Sequence, residues 1–399
     1  MLEKLIGRSG AARTKKIILR VLLIFTFSHF HIFTFAQDSS RLRISLLTCT
    51  PGDELYSTFG HSALRVIDSN SVSDLVYNYG TFNFDEKNFY LKFIQGRLKY
   101  FLSIENFQDF KNDYISDNRG ITEQVLNFSA REKEDILHAL IENYKEENRY
   151  YLYDFFLDNC TTRLRNIILK HHYPAAVLPP VMPVDYSFRD ALHQYLKKGS
   201  MAWSRLGIDI LLGASADDKM TAAQQEFLPD NLMQGMNNVP NTAMVSSVQN
   251  LYPINSPGDK RVFFTPLIIF CCIFLLFTLL SILRSVAAKR ILFVLDSLLF
   301  FTVGLLGILL LTVWLITDFP MLKNNYNLLW AWPTHMLYAF LINSRSKKIK
   351  TYSAFTCIFL LLLLCSWYFL HQHMPVALTP LVLLMSWRSG KRAFGLNLD

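Results

Sequence analysis

The feature that most constrains this chain is a series of long apolar runs confined to its C-terminal part, at residues 262–283, 291–316, 326–342, 352–370 and 376–387. Most approach the roughly 20 residues that a helix needs to cross bilayer hydrocarbon. The fifth is short and holds Pro380. Positive charge then sets the orientation. Arg284, Lys289 and Arg290 follow the first run, Arg345, Lys347, Lys348 and Lys350 the third, and Arg388, Lys391 and Arg392 the fifth, whereas 317–325 and 371–375 are poor in Lys and Arg. These clusters are cytoplasmic by the positive-inside rule. About five crossings satisfy every loop, so 261–392 are expected to form an all-α transmembrane domain and 393–399 a cytoplasmic tail, with the preceding domain outside.

Residues 1–36 point the same way. Lys4, Arg8, Arg13, Lys15, Lys16 and Arg20 precede the apolar run 21–25, and Ala36 stands just before the polar Gln37-Asp38-Ser39-Ser40. That is the pattern of a secretory signal, either cleaved or kept as an anchor. The expected location is a bacterial inner membrane, multi-pass, with the large domain periplasmic and the C-terminus cytoplasmic. The formal net charge of +8 does not argue for nucleic acid. The basic residues gather in the signal and the cytoplasmic loops, and the exported part has no basic stripe mixed with stacking aromatics.

Within the exported part, 42–49, 62–67 and 75–79 read as strands of a small sheet, with the polar turn Asp68-Ser69-Asn70-Ser71 between the last two. Apolar spacing of three and four predicts helices over 87–93, 130–146, 159–170 and 188–197, and Ser129 with Glu132 forms a capping box. Strands and helices do not alternate regularly, so the class is α+β rather than doubly wound. The expected exported domain spans 37–213. Residues 214–260, rich in Asn, Gln, Ser and Pro, read as a partly ordered connector to the membrane.

Of the six cysteines, Cys271, Cys272, Cys357 and Cys365 fall in membrane segments, leaving Cys49 and Cys160 outside. Cys160 follows Asp158 and Asn159, either of which suits an N-cap, and opens an amphipathic helix. The positive helix end lowers the pKa of a thiol there, and the backbone N–H groups offer an oxyanion site, with Asp158 and Asn159 as support. A thiol nucleophile needs a base. His61 opens a strand directly after Gly60, whereas His138 is in a helix interior and His171 and His172 lie near a helix end. Asn78 faces away from Leu75, Tyr77 and Tyr79 on its strand, which suits an amide that orients the imidazole; Tyr77 and Tyr79 are the alternative orienters. Against a catalytic pair stands a structural Cys49–Cys160 disulfide, which an oxidising compartment permits.

These residues resemble a known pattern. A strand-borne Gly60-His61 followed much later by Asn159-Cys160 at a helix start resembles the permuted branch of the NlpC-type papain-like superfamily, where the order of His and Cys is reversed. More closely, Thr50-Pro51-Gly52 leading to Phe59-Gly60-His61, then Tyr79-Gly80-Thr81-Phe82, then Tyr153-Asp154-Phe155-Phe156 before Asp158-Asn159-Cys160-Thr161-Thr162-Arg163, resembles the Lnb family of bacterial lipoprotein N-acyltransferases. The likeness covers most of the exported domain, and the membrane bundle fits by architecture. It implies a permuted papain-like (NlpC-type) domain followed by about five transmembrane helices. It also implies that Cys160 takes an acyl chain from a membrane phospholipid as a thioester and passes it to the α-amino group of a diacylglyceryl-cysteine lipoprotein, with His61 as base. No cofactor or metal is implied, and no His or Cys cluster has zinc-type spacing.

Two intramembrane groups are functional candidates by default, Asp296 and His335, the latter as a membrane-embedded substrate contact. Asp296 near the cytoplasmic headgroups and His335 bonded to a carbonyl freed by Pro333 are their structural readings. Arg163 and Arg165 are either phosphate contacts or paired, and Trp330, Trp332, Trp367 and Tyr368 suit an outer aromatic belt. Two other functions use the same residues differently: a cell-wall cysteine peptidase or amidase with the same Cys160 and His61, and a non-catalytic envelope scaffold held by the disulfide.

Overall fold

A computed structural model describes residues 40–52, 57–240, 242–253, 263–283 and 285–395. The expected signal at 1–36 lies outside the described residues. From Arg41 onward the chain forms one unit.

The exported part is built on a seven-stranded antiparallel sheet: β1 (Leu42–Cys49), β2 (His61–Asp68), β3 (Ser73–Thr81), β4 (Lys99–Asn106), β5 (Ile121–Leu126), β6 (Tyr150–Leu152) and β7 (Val245–Tyr252), in the order β6-β4-β3-β2-β1-β5-β7. Between the strands run helices α1 (Phe89–Gln95), α2 (Phe107–Ser116), α3 (Ala130–Tyr144) and α4 (Cys160–Lys170). Central β1 is covered on both faces, which is why its burial is almost continuous. Leu42, Ile44, Leu46, Leu64, Tyr77 and Tyr79 meet Ile136 and Leu140 of α3 and Leu164 and Ile168 of α4. Leu47, Cys49, Ala63 and Val76 face the other way, onto Phe107 and Phe110 of α2. The Ser129–Glu132 capping box that starts α3 is present in both directions.

The sheet is larger than the three strands legible in the sequence. In β5 the positions that should read apolar include Glu123 and Gln124, both buried; Glu123 is held by Arg43 at 2.9 Å and Arg65 at 3.2 Å. Charge compensation, which no local pattern displays, makes that strand possible. The connector expected at 214–260 is corrected over its described part. Helices α7 (Ala222–Gln225) and α8 (Pro229–Asn237) pack on the domain, and β7 pairs with β5 at the sheet edge, where polar side chains face solvent and hide the strand period.

Helices α5 (Phe188–Lys198) and α6 (Ala202–Leu211) lie between the sheet and the C-terminal helices α9 (Pro266–Ile282), α10 (Val286–Ile316), α11 (Thr334–Leu341), α12 (Lys347–Ser366) and α13 (Thr379–Phe394). Each expected span holds a helix, but among the described residues only two helical stretches, Val286–Ile316 and Lys347–Phe369, are long and apolar enough to cross a membrane. Pro333 and Pro380 explain part of the difference: each stands at the start of a helix, so α11 and α13 begin late in their apolar runs. Trp330 and Trp367, expected in an aromatic belt, are instead buried, donating to Asn327 Oδ1 and to the Met374 carbonyl.

The two halves are joined by polar bonds at the C-terminal end of α6. Helix ends leave carbonyls without intrahelical partners. Here Asn325 Nδ2 donates to the carbonyls of Ile210 (2.8 Å) and Leu211 (3.0 Å), Asn327 Nδ2 to that of Asp209 (3.1 Å), and Gln372 Nε2 to that of Leu212 (3.1 Å). Arg189, fully buried, binds Asp209 and Asp217 at 3.0 Å each and the Leu212 and Gly213 carbonyls at 3.2 Å. Burial works against the charge of Asp209, but His193 and Arg189 hold its carboxyl below the usual range. Gly213 is the tightest point, because a Cβ there would lie 1.7 Å from the Lys323 carbonyl oxygen. Gly213→Ala should therefore cost the full-length protein about 1–3 kcal/mol, seen as a lower melting temperature in detergent. Gly207→Ala, whose Cβ would meet nothing within 4 Å, should cause no loss.

Candidate active site

Two glycines and an aromatic cluster bring the distant motifs together. Gly60 has φ of 79°, and a Cβ there would meet the Cys49 carbonyl oxygen at 2.5 Å, so the turn into β2 accepts only glycine. Gly80, with φ of 95°, sits where the β3–β4 register shifts, and a Cβ on it would lie 3.7 Å from Cys160 Cβ. Phe59 packs on Phe155 at 5.0 Å between ring centroids and on Tyr195 at 6.0 Å, and Tyr153 stacks on Tyr100 at 4.4 Å. The aromatics of the Phe59-Gly60-His61 and Tyr153-Asp154-Phe155-Phe156 motifs thus clamp the start of β2 to the start of α4.

Cys160 is the first residue of α4 and is buried. Asn159 caps the helix: its Oδ1 accepts from Thr162 N at 2.8 Å, and its backbone N–H donates to Thr162 Oγ1 at 2.8 Å. Both hydrogens of its amide are committed, to the carbonyls of Phe155 and Phe227 at 2.8 Å each. Asp158 grips Arg163 with two bonds of 2.7 and 2.6 Å, and the Arg163 guanidinium lies 3.4 Å over the Tyr151 ring. Asn159 and Asp158 therefore hold the loop, and their side chains are not free to receive an oxyanion; Arg163 is paired rather than presented to a phosphate. The cap engages the N–H of Thr162, and Arg163 N closes on the Asn159 carbonyl, so Cys160 and Thr161 carry the first-turn N–H groups that the cap does not use.

The structure brings Cys160, His61 and Asn78 into one chain of contacts. The thiol and the imidazole share a hydrogen bond, and a further bond reaches the thiol from the backbone of Ser62. His61 Nε2 donates to Asn78 Oδ1 at 3.2 Å, leaving Nδ1 as the ring nitrogen for the thiol. Asn78 Nδ2 in turn donates to Glu105 Oε1 at 2.6 Å, which fixes the amide with its oxygen toward the ring. Burial alone raises the Cys160 pKa, yet the charge and hydrogen bond of His61, with Ser62 and Thr161, bring it down to about 7. Burial alone lowers that of His61, but the Cys160 thiolate and the bonds to Cys160 and Asn78 raise it above the usual imidazole range. Each group's charge thus favours the charged form of the other.

Cys49 is the counter-example within the same domain. It is a free thiol, as is Cys160, so the alternative of a disulfide between them is not what the fold contains. Cys49 packs among Leu47, Ala63 and Phe110, and burial pushes its pKa up to about 12. His335, expected as a membrane-embedded substrate contact, is fully buried, bonded through Nδ1 to the Tyr352 hydroxyl at 2.8 Å and stacked on Trp332 at 5.0 Å. Asp296 is held by Arg388 of α13 at 2.6 and 2.5 Å.

Glu105, Ser62 and Thr161 belong to the site and went unseen in the sequence. Glu105 lies on β4, a strand that its mixed composition concealed. Ser62 Oγ and Thr161 Oγ1 meet at 3.0 Å across 99 positions, a pairing only the fold reveals.

The family comparison fits this layout. Residues 30–186 match the Lnb N-terminal periplasmic domain, and residues 258–395 match the Lnb transmembrane domain. The chain belongs to the Lnb family. This Lnb protein is accordingly a membrane protein with an exported N-terminal domain and a helical C-terminal membrane domain. No curated protein and no solved structure matches it. In this Lnb chain the thiolate is the reactive form and is present above the thiol pKa. Iodoacetamide labelling of Cys160, followed by peptide mass spectrometry, should therefore rise through a midpoint near pH 7. His61→Ala removes the charge that offsets burial and should move that midpoint upward, while Cys49 should stay unlabelled at neutral pH.

Proposed function

We propose that this protein is a thiol-dependent lipoprotein N-acyltransferase of the bacterial inner membrane. The observation that carries the reading is the Cys160–His61–Asn78 chain, with its buried thiol brought to about 7, in a domain bonded to a membrane domain. Membership of the Lnb family, which suggests a membrane protein of lipoprotein biogenesis, supports it. On this reading the exported domain is a permuted papain-like one, five helices cross the bilayer, and the C-terminus is cytoplasmic.

His61 holds the thiol proton, and the Cys160 thiolate attacks an ester carbonyl of a phospholipid. The N–H groups of Cys160 and Thr161 receive the oxyanion. The ester C–O bond breaks, the lysophospholipid alcohol leaves with the proton from His61, and the acyl chain remains on Cys160 as a thioester. The α-amino group of a diacylglyceryl-cysteine lipoprotein then attacks the thioester. His61 takes the amine proton and returns it to the Cys160 sulfur, giving an amide and the free thiol. Asn78 keeps the imidazole aligned through both halves. Holding both lipid substrates at one membrane surface supplies proximity.

The test is mass spectrometry of a reporter lipoprotein from cells lacking their own N-acyltransferase and expressing this protein. The unsubstituted protein should add an amide-linked acyl chain and Cys160→Ala should add none. His61→Ala should slow transfer by about 10²–10⁴-fold. A cell-wall peptidase would leave the reporter unchanged and would carry no hydroxylamine-sensitive acyl chain on Cys160.

A further inference from the structure

Helix α1 is out of place on a water-facing surface. None of its residues is buried; Tyr90 is 77% exposed, Leu91 and Phe93 50% each, and neighbouring Phe84 66%. Contiguous apolar surface of this kind marks an interaction site. It is not loose, since Phe82, Phe84 and Phe89 pack ring to ring at 4.8–5.9 Å and Phe82 rests on Tyr100 at 5.2 Å. The exposed face is held outward by an ordered aromatic base.

Its neighbours indicate what covers it. The Gln95 carbonyl accepts from Asp318 N at 2.9 Å, Arg97 pairs with Asp318 at 2.7 Å, and Gly96 closes on the Phe319 ring. Asp318 is two residues past the end of α10, the longest apolar helix. That fixes α1 beside the C-terminal end of α10. Exposed aromatics also stand at other ends of the apolar helices: Phe263 and Phe264 at the head of α9, with Trp203 Nε1 donating to the Phe264 carbonyl, and Tyr368 and Phe369 after α12. Such aromatics are characteristic of the membrane–water interface. Lys87 and Lys99, both exposed, flank the patch, as suits a helix lying in a headgroup layer.

We propose that Phe84 and the Tyr90, Leu91 and Phe93 face of α1 seat in the outer leaflet of a phospholipid bilayer, continuous with the lipid-facing surface of α10. The segment follows in the chain from Gly80, where a Cβ would lie 3.7 Å from Cys160 Cβ. The inference rests on the membrane domain and not on the acyl-transfer reading.

The test uses full-length protein in nanodiscs of phosphatidylethanolamine and phosphatidylglycerol, with the photoreactive residue benzoylphenylalanine at Tyr90, at Phe340 of α11 (72% exposed) or at Val72 in the β2–β3 turn (91% exposed). Phospholipid adducts at positions 90 and 340 and none at 72 are expected. Adducts at 340 but none at 90, equal adducts at 72 and 90, or a protein adduct at 90 in native membranes in place of lipid would each overturn the proposal. A Leu91→Asp, Phe93→Asp variant should bind preformed vesicles of the same lipids more weakly from detergent, by about tenfold per side chain, with Cys160 alkylation unchanged. Unchanged vesicle binding would overturn it equally.

Discussion

The contact on which the rest of the domain depends is the meeting of the N-terminus of α4 with the first residue of β2. A buried thiol and a partly buried imidazole each lose solvation as ions, and each favours the other's charge. That compensation is short-ranged, so the two chain ends must be held within hydrogen-bond distance by elements that cannot drift. The glycines at 60 and 80 allow the close approach, the Phe59–Phe155 and Tyr153–Tyr100 pairs clamp it, and Asn159 spends its whole side chain on fixing the helix start. Cys49 shows what the same fold does to a thiol lacking such a partner: it is buried with apolar neighbours and its pKa climbs to about 12.

The second constraint is positional. The exported domain is held to the membrane domain by directional polar bonds as well as by apolar contacts such as those of Leu206 and Met321. Side-chain amides from the loops between membrane helices cap the carbonyls that α6 leaves open, and Arg189 gathers Asp209, Asp217 and two more carbonyls. Each unmet carbonyl would carry a desolvation cost, so the docking geometry is specified by direction and not merely by burial. Residues 189–217, which lie between the two family matches, supply the exported side of these bonds.

How much of this could be read in the sequence follows from how local each signal is. Strands β1 to β3 and helices α3 and α4 declare themselves through alternation, helical spacing and capping residues within a few positions of one another. His61, Asn78 and Cys160 were singled out because a glycine, a strand face and a helix start are also local. Glu105, Glu123, Gln372 and Asn325 were not, because each is polar and held in place only by a partner far away in the chain. Segment β7 read as a connector for the same reason: a polar edge strand is defined by its neighbour β5, not by its own residues.

Asp296 and Arg388 apply that logic inside the membrane domain. A carboxylate on α10 and a guanidinium on α13 are separated by 92 positions, and each alone would read as a costly charge in an apolar helix. Paired through two bonds, with Ser281 of α9 accepting a third from Arg388 at 3.1 Å, they tie three helices at one level. A buried ion pair contributes little net stability over an apolar substitute, because desolvation offsets the attraction. Its effect is on register: an axial slip of α13 by one turn, about 5.4 Å, would leave two unpaired charges away from water. The helices that carry the outer loops are therefore held at defined heights by the same kind of directional bond that docks the exported domain above them.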